Sequence, residues 1–291
     1  SDSYITTANK IGNNVYIKNE SYYYFLGDYF VHIKKHNNKS KASIYLNHSS
    51  SILKNIKKTI KKNIRKRDNF FLVRQFIIFP VFTMLALKKR IYSMHASAIN
   101  LSGRTIVFSG LSGIGKSTLS VASTLRNDAY FISDNYLLYD KNNFYCFPEW
   151  IRLSMESSNL IGIPKSSKKI SHAYFKRHNR YYYRLSKNII NDRNDPGDFI
   201  FISLGEKFSI ENINIDHSID KILLNNSHVN EFPEHSKSGL MMLLFHDSNY
   251  YQDMLSSLKS ILKKSHIYNI VVDKNISVDD SISNILQELE I

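Results

Sequence analysis

Cysteine is nearly missing from this chain. Cys146 is the single thiol among 291 residues, so no intramolecular disulfide can form, which fits a reducing cytoplasm. A membrane-spanning run is missing as well. The most apolar stretch, Phe76 to Leu87, contains Pro80 and Thr83 and is flanked by Arg74 and Lys88. A bilayer span needs about 20 apolar residues, so this stretch reads as a buried helix kinked near Pro80. No signal-peptide pattern opens the chain; Ser1-Asp2-Ser3 reads as a trimmed start. Self-similarity at a fixed period is absent, which argues against a solenoid or propeller. Negative charge is in short supply: 25 Asp and Glu face 39 Lys and Arg, for a formal net charge of +14. That balance favours polyanionic partners, whether nucleotides, nucleic acid, an acidic protein or a membrane surface. Much of the excess is local, in Lys54, Lys57, Lys58, Lys61, Lys62, Arg65, Lys66 and Arg67. The abundance of Lys, Asn, Ile and Tyr also fits an AT-rich genome, so the charge says little about function by itself.

What is present is a folded globule. A hydrophobic fraction of 43% with 13% aromatics excludes a disordered chain, and the length allows one or two domains. Glycine is sparse, ten in all, yet three fall within Gly110-Leu111-Ser112-Gly113-Ile114-Gly115-Lys116-Ser117. This is G-x-x-x-x-G-K-S, the phosphate-binding P-loop. Its glycines let the backbone curl so that N–H groups converge on phosphate oxygens. Lys116 adds a point charge within reach of the β- and γ-phosphates, and the Ser117 hydroxyl can ligate Mg²⁺. The motif needs a strand before it and a helix after it. Arg104-Thr105-Ile106-Val107-Phe108-Ser109 reads as a buried parallel strand. Ser117-Thr118-Leu119-Ser120-Val121-Ala122-Ser123-Thr124-Leu125 is compatible with the helix, whose positive end would lie at the phosphates.

Elsewhere the pattern divides near residue 90. Residues 1–90 carry short Tyr-rich runs (Val15 to Ile17, Tyr22 to Leu26, Tyr29 to Ile33 and Ala42 to Leu46) that read as a small antiparallel sheet. Ile52, Ile56, Ile60 and Ile64 then recur every four residues among lysines, an amphipathic helix whose charge reads best as a solvated face. Residues 91–291 alternate strands with helices, the pattern of an α/β domain. Ala96 to Ile99 lies a hairpin away from the P-loop strand, with Ser102-Gly103 as the turn. Residues 165–198 are polar and read as a hairpin or mobile loop over a site, closed by the Asp195-Pro196-Gly197 turn. Phe199 to Leu204 and His266 to Val272 read as strands, Ile219 to Asn225 and Gly239 to Phe245 as helices, and Ser277 as the cap of a C-terminal helix.

P-loop chemistry needs a carboxylate at the end of a neighbouring strand, to hold the metal or activate the nucleophile. Asp134 ends Tyr130-Phe131-Ile132-Ser133, seventeen residues after Ser117. Parallel-sheet geometry would bring that strand end beside the loop; the plainer alternative is an Asp capping the next element. His95 opens the strand before the P-loop strand, where a lone histidine is most often structural.

Met94-His95-Ala96-Ser97-Ala98, the P-loop with its flanks Val107 to Leu119, and Ile132-Ser133-Asp134-Asn135 together resemble the catalytic domain of HPr kinase/phosphorylase. The resemblance is closer to the short HPr-kinase-like proteins of bacterial peptide-modification clusters, including lasso-peptide precursor kinases. It covers residues 91–140 and runs on loosely through Pro148 to Leu153 towards residue 225. It implies an HPr-kinase/carboxykinase-like α/β domain after a small N-terminal α+β region. It implies ATP with Mg²⁺ or Mn²⁺ as cofactors, and a peptide or protein bearing a serine as partner. By the same resemblance His95 is an active-site histidine, Asp134 takes the serine proton, and Arg152 lies near the phosphate site; Gly110, Ser112, Gly113, Ile114, Gly115, Lys116, Ser117 and Thr118 are the nucleotide-binding residues, with Lys116 catalytic as well. Ser117, Asp134 and Asn135 are implied at the metal. The chain departs from the family at Asn135, where a second aspartate is usual, and in lacking the glycine-rich signature after the P-loop. With that signature goes the basis for phosphorolysis and for HPr as substrate.

Four readings follow. The first is a cytoplasmic kinase that moves the γ-phosphoryl group of ATP to a serine hydroxyl. The second is a small-molecule or sugar kinase, or a carboxykinase relative, on the same scaffold. The third is a catalytically weak nucleotide-binding regulator, marked by Asn135. The fourth, a nucleic-acid NTPase prompted by the charge, lacks helicase-type motifs and an arginine-finger signature. A homo-oligomer is compatible with each of them.

Overall fold

The computed structural model describes residues 9–12, 15–18, 21–26, 29–36, 39–46, 82, 85–87, 89–126, 129–147, 151–163, 170–171, 176–177, 180–185, 193–228 and 249–291. The chain divides into two compact units, Ser1–Arg90 with Glu231–Tyr251, and Ile91–Asn230 with Gln252–Ile291.

The first unit carries a five-stranded antiparallel sheet in chain order: β1 (Asn9–Gly12), β2 (Val15–Lys18), β3 (Ser21–Leu26), β4 (Tyr29–His36) and β5 (Lys39–Leu46). The four Tyr- and Ile-rich runs expected as strands lie in β2 to β5. β1 is an addition: Asn-Lys-Ile-Gly holds one strand-forming side chain, so its pairing with β2 defines it rather than its own composition. Tyr23 sits opposite His32 in register, and their rings stack with centroids 4.8 Å apart, a cross-strand pair of the kind that stabilises sheets. The expected Ile52–Ile64 helix with its basic run, most of the Phe76–Leu87 stretch and the expected Gly239–Phe245 helix lie outside the described residues. Residues 85–87 are helical, with Ala86 and Leu87 buried.

The second unit is built on a six-stranded sheet in the order β18-β19-β17-β8-β7-β9. Its strands are β7 (Ala96–Leu101), β8 (Arg104–Ser109), β9 (Tyr130–Ser133), β17 (Asp198–Gly205), β18 (Ser209–Asn212) and β19 (His266–Asp273). β8, β17 and β19 run parallel, whereas β7 is antiparallel to both β8 and β9. This corrects the expected parallel neighbourhood of Asp134: β9 is an edge strand separated from the P-loop strand by β7. The cause is the Ser102-Gly103 turn. Both residues have positive φ, 51° and 85°, which is the tight hairpin geometry that folds a strand directly back on its predecessor. The hairpin therefore takes the place beside β8.

Among the described residues, the helices of seven or more residues are α1 (Lys116–Arg126), α2 (Met155–Ile161), α3 (Ile215–His228), α4 (Tyr250–Leu262) and α5 (Val278–Glu288). Ser277 caps α5 by accepting from the Asp280 N–H, as its sequence predicts. Leu119, Val121 and Ala122 of α1 share a core with Ile282 and Ile285 of α5, Ile106 and Phe108 of β8, and Ile200 and Ile202 of β17. Burying such side chains is worth about 1.5–3 kcal/mol each, which presses the P-loop helix against its sheet. A smaller antiparallel sheet pairs β6 (Tyr92–Met94), β10 (Leu137–Tyr139), β11 (Phe144–Tyr145) and β16 (Arg193–Asn194). Another joins β12 (Ile151–Ser154), β13 (Ile170–Ser171) and β15 (Arg180–Leu185), with β14 (Lys176–Arg177) paired to β15. The polar 165–198 segment thus contains a hairpin, β14–β15. Among the described residues, no helix is long and apolar enough to cross a membrane.

Candidate functional site

The loop 110–115 leaves the end of β8 and delivers the chain to α1. Gly110 is required at its first position. Its φ is +148°, and a Cβ there would come 2.8 Å from the carbonyl oxygen of Ile202 on the adjacent strand β17 and 3.2 Å from the Ile114 side chain. Gly113 and Gly115 also have positive φ, so the loop curls as the motif demands. Ser112 and Gly113 are exposed, Ile114 and Gly115 half-buried, and Thr118 is buried in the first turn of α1. Lys116 is buried, and its Nζ donates to the carbonyl oxygens of Gly110 and Leu111, 2.8 Å each. The ammonium is therefore folded into the mouth of its own loop, where phosphate oxygens would meet it.

Asp134 reaches this loop from the edge of the sheet. It is 1% exposed. Its Oδ1 accepts from Ser117 Oγ and from Ser97 Oγ, both at 2.6 Å, and its Oδ2 accepts from Asn135 Nδ2 at 3.0 Å. No ion pair reaches it among the described residues. Asn135 has φ +62°, a left-handed conformation that asparagine tolerates better than most residues. The kink is fixed by two further bonds: Tyr136 N–H donates to Asp134 O at 2.8 Å, and Ser133 Oγ donates to Tyr136 O at 2.6 Å. Asn135 thus both makes the turn and holds the carboxylate.

His95 lies between β6 and β7 and is buried. Its Nδ1 is 3.2 Å from Asn135 O. A carbonyl oxygen only accepts, so Nδ1 carries a proton and donates it to Asn135 O. The His95 backbone N–H donates to Asn226 Oδ1 at 2.8 Å, and the neighbouring Asn225 Nδ2 donates to Ser109 Oγ at 3.3 Å. The end of α3 is thereby tied to the P-loop strand and to the histidine. The structure brings together Lys116, Ser117, Asp134, Asn135 and His95. Arg152 stands half-buried on β12, opposite Tyr182 in a separate sheet, and is not one of the links just described.

Sequence reasoning missed Ser97, Ser109, Asn225 and Asn226. The signal for Ser97 is a polar residue inside an otherwise apolar buried strand. For the asparagines it is a polar pair directly after the apolar Ile222-Leu223-Leu224.

Residues 18–159, just under half of the chain, match the family model of phosphoenolpyruvate carboxykinase. The match supports an ATP-using, kinase-like protein of the P-loop kind, and the α/β fold agrees with it. No curated protein matches the chain. Among solved structures the chain is similar to the Hpr(Ser) kinase/phosphatase from Coxiella burnetii, at 16% identity over 42% of this chain and 77% of that chain, with a TM-score of 0.26. Nothing about substrate follows from a likeness that distant.

A divalent cation is implied by ATP chemistry, and the donors fit one that is shared with phosphates. Ser117 Oγ spends its proton on Asp134, so its lone pairs remain for a cation. Among the described residues no three His, Cys, Asp or Glu side chains cluster as a metal site. A cation held mainly by substrate phosphates needs only one or two protein oxygens.

Proposed function

We propose that this chain is a kinase that transfers the γ-phosphoryl group of ATP to a serine hydroxyl of a peptide or protein. The observation that carries the reading is the short bond from Ser117 of the P-loop to the buried carboxylate of Asp134. It puts a phosphate cradle and a candidate base in one place. The loop amides and Lys116 hold the β- and γ-phosphates. The acceptor hydroxyl gives its proton to Asp134 as its oxygen forms the new bond to the γ-phosphorus. The bond from that phosphorus to the β,γ-bridging oxygen breaks, and ADP leaves. Mg²⁺ or Mn²⁺, held by Ser117 Oγ together with the phosphates, would neutralise charge on the transferred group. His95, anchored through its Nδ1, would donate from Nε2 to a phosphoryl oxygen in its doubly protonated form. For Arg152 the support is the sequence resemblance.

The test is transfer itself. Incubate the chain with ATP, Mg²⁺ and a pool of serine-bearing peptides, and read phosphoserine by mass spectrometry beside Lys116→Ala. Phosphopeptide from the wild type and none from the variant supports the assignment. Free phosphate without phosphopeptide, or equal turnover in both proteins, sinks it.

A further inference from the structure

The two oxygens of Asp134 are treated differently. Oδ1 takes two hydroxyl hydrogen bonds, from Ser97 and Ser117, whereas Oδ2 takes one, from Asn135. A carboxylate oxygen offers about two lone-pair sites. Oδ1 is therefore filled, and Oδ2 keeps one site. We propose that Ser97 is a positioning residue of the phosphoryl-transfer site: with Ser117 it fills Oδ1 and so presents Oδ2 to the acceptor hydroxyl. This rests on the serine-kinase reading and adds to it which oxygen works and what aims it.

Ser97 is 0% exposed, in the interior of β7 between the buried Ala96 and Ala98. A hydroxyl in such a place costs stability unless it is hydrogen-bonded, and alanine would suit the strand equally well. The bond that Ser97 makes is to a carboxylate far along the chain, on the turn after β9. The two serines also differ in duty. Ser117 belongs to the loop that receives the phosphates and offers the same oxygen to a cation. Ser97 stands outside the loop, on the strand antiparallel to both β8 and β9. It holds the carboxylate from the sheet, independently of how Ser117 is engaged.

The experiment compares wild type, Ser97→Ala and Ser97→Cys in full-length chains. It measures kcat and KM for ATP, calorimetric affinity for ATP·Mg²⁺ and melting temperature. Ser97→Ala is expected to lower kcat by about 10- to 100-fold, the usual cost of losing an orienting partner. KM and ATP affinity should stay where they are. Ser97→Cys, similar in size and a weak donor, should recover part of kcat. A merely structural serine would instead show a lowered melting temperature and weaker ATP binding along with the lost rate. An unchanged kcat in Ser97→Ala, or a loss that follows ATP affinity, overturns the proposal. A wild type that binds ATP·Mg²⁺ yet phosphorylates no serine removes the kinase reading and this role with it. An active wild type matched by Ser97→Ala removes the role alone.

Discussion

Opposite ends of the main sheet each bury an aspartate, one matched to a cation and one not. Asp198 begins β17, and Arg104, at the start of β8, grips both of its oxygens. The guanidinium approaches Oδ1 at 2.6 Å and Oδ2 at 2.5 Å, and donates a further bond to Leu289 O at 2.9 Å. The ion pair joins two strands and the end of α5. Asp134, at the P-loop end, is held by two hydroxyls and an amide, with no ion pair among the described residues. A buried charge left without a counter-ion is costly. Asp198 fastens the sheet through its ion pair, whereas Asp134 has only neutral partners among the described residues. Under the proposed function, the difference separates an acid that serves the fold from one placed for chemistry.

The sharpest way to break that comparison is to neutralise each acid without changing its shape. Asp134→Asn should lower phosphoryl transfer by about 10²-fold or more, as loss of a positioned base does, with the melting temperature nearly unmoved. Turnover equal to wild type at saturating ATP would remove Asp134 from the chemistry. Asp198→Asn should do the reverse. It leaves Arg104 without its counter-charge and should destabilise by about 3 kcal/mol, the low end for a broken buried pair, because Arg104 is 33% exposed and solvent can share its charge. Turnover per folded molecule should persist well below the melting transition. A denaturant titration of both variants tests the pair together; equal losses of stability would erase the distinction.

Cys146 supplies an independent probe of the same contrast. Burial pushes its thiol up to about 11. The thiolate is the reactive form, so at pH 8 the folded chain should alkylate about 100-fold more slowly than the unfolded one. Asp198→Asn should speed alkylation by populating opened chains, and Asp134→Asn should not. The sign with pH also follows. The unfolded thiol gives up its proton near its ordinary value of 9.0, before the folded one does. The Cys146 contribution to folding is therefore intact below about pH 9 and is lost as pH rises toward 11. Alkylation rates measured from pH 7 to 10 check both statements; a native rate equal to the denatured rate contradicts them.

How far each end was legible in the sequence follows the range of the interactions. The P-loop, its strand and its helix are written in adjacent residues, because glycines and a Lys-Ser pair form the cradle locally. The hairpin at Ser102-Gly103 and the strand ending at Asp134 are each legible too. Their order in the sheet is not, since neither pattern says which strand takes the place beside β8. The partners of Asp134 and His95 come from elsewhere in the chain. Ser97 looks like any small residue of a buried strand, and Asn225 and Asn226 look like the polar end of a helix. The Arg104–Asp198 pair has no sequence signature at all, because it forms only when β8 and β17 lie side by side.

The smallest expected effect sits at Asn135. Its Nδ2 donates to Asp134 Oδ2, so asparagine quiets the carboxylate with a neutral donor where the resembled kinases carry a second aspartate. Asn135→Asp removes that donor and puts two carboxylates side by side. Repulsion between them is relieved by a divalent cation, and added ligand charge tightens hard cations. The half-saturating free Mg²⁺ concentration at fixed ATP should therefore fall several-fold, with maximal turnover little changed. The turn itself should survive, because aspartate also tolerates the left-handed backbone at φ +62°. Without Mg²⁺ the variant should melt lower than wild type, and with saturating Mg²⁺ the gap should close. Superimposable Mg²⁺ curves would mean that Asn135 only shapes the turn, and that the cation is met without it.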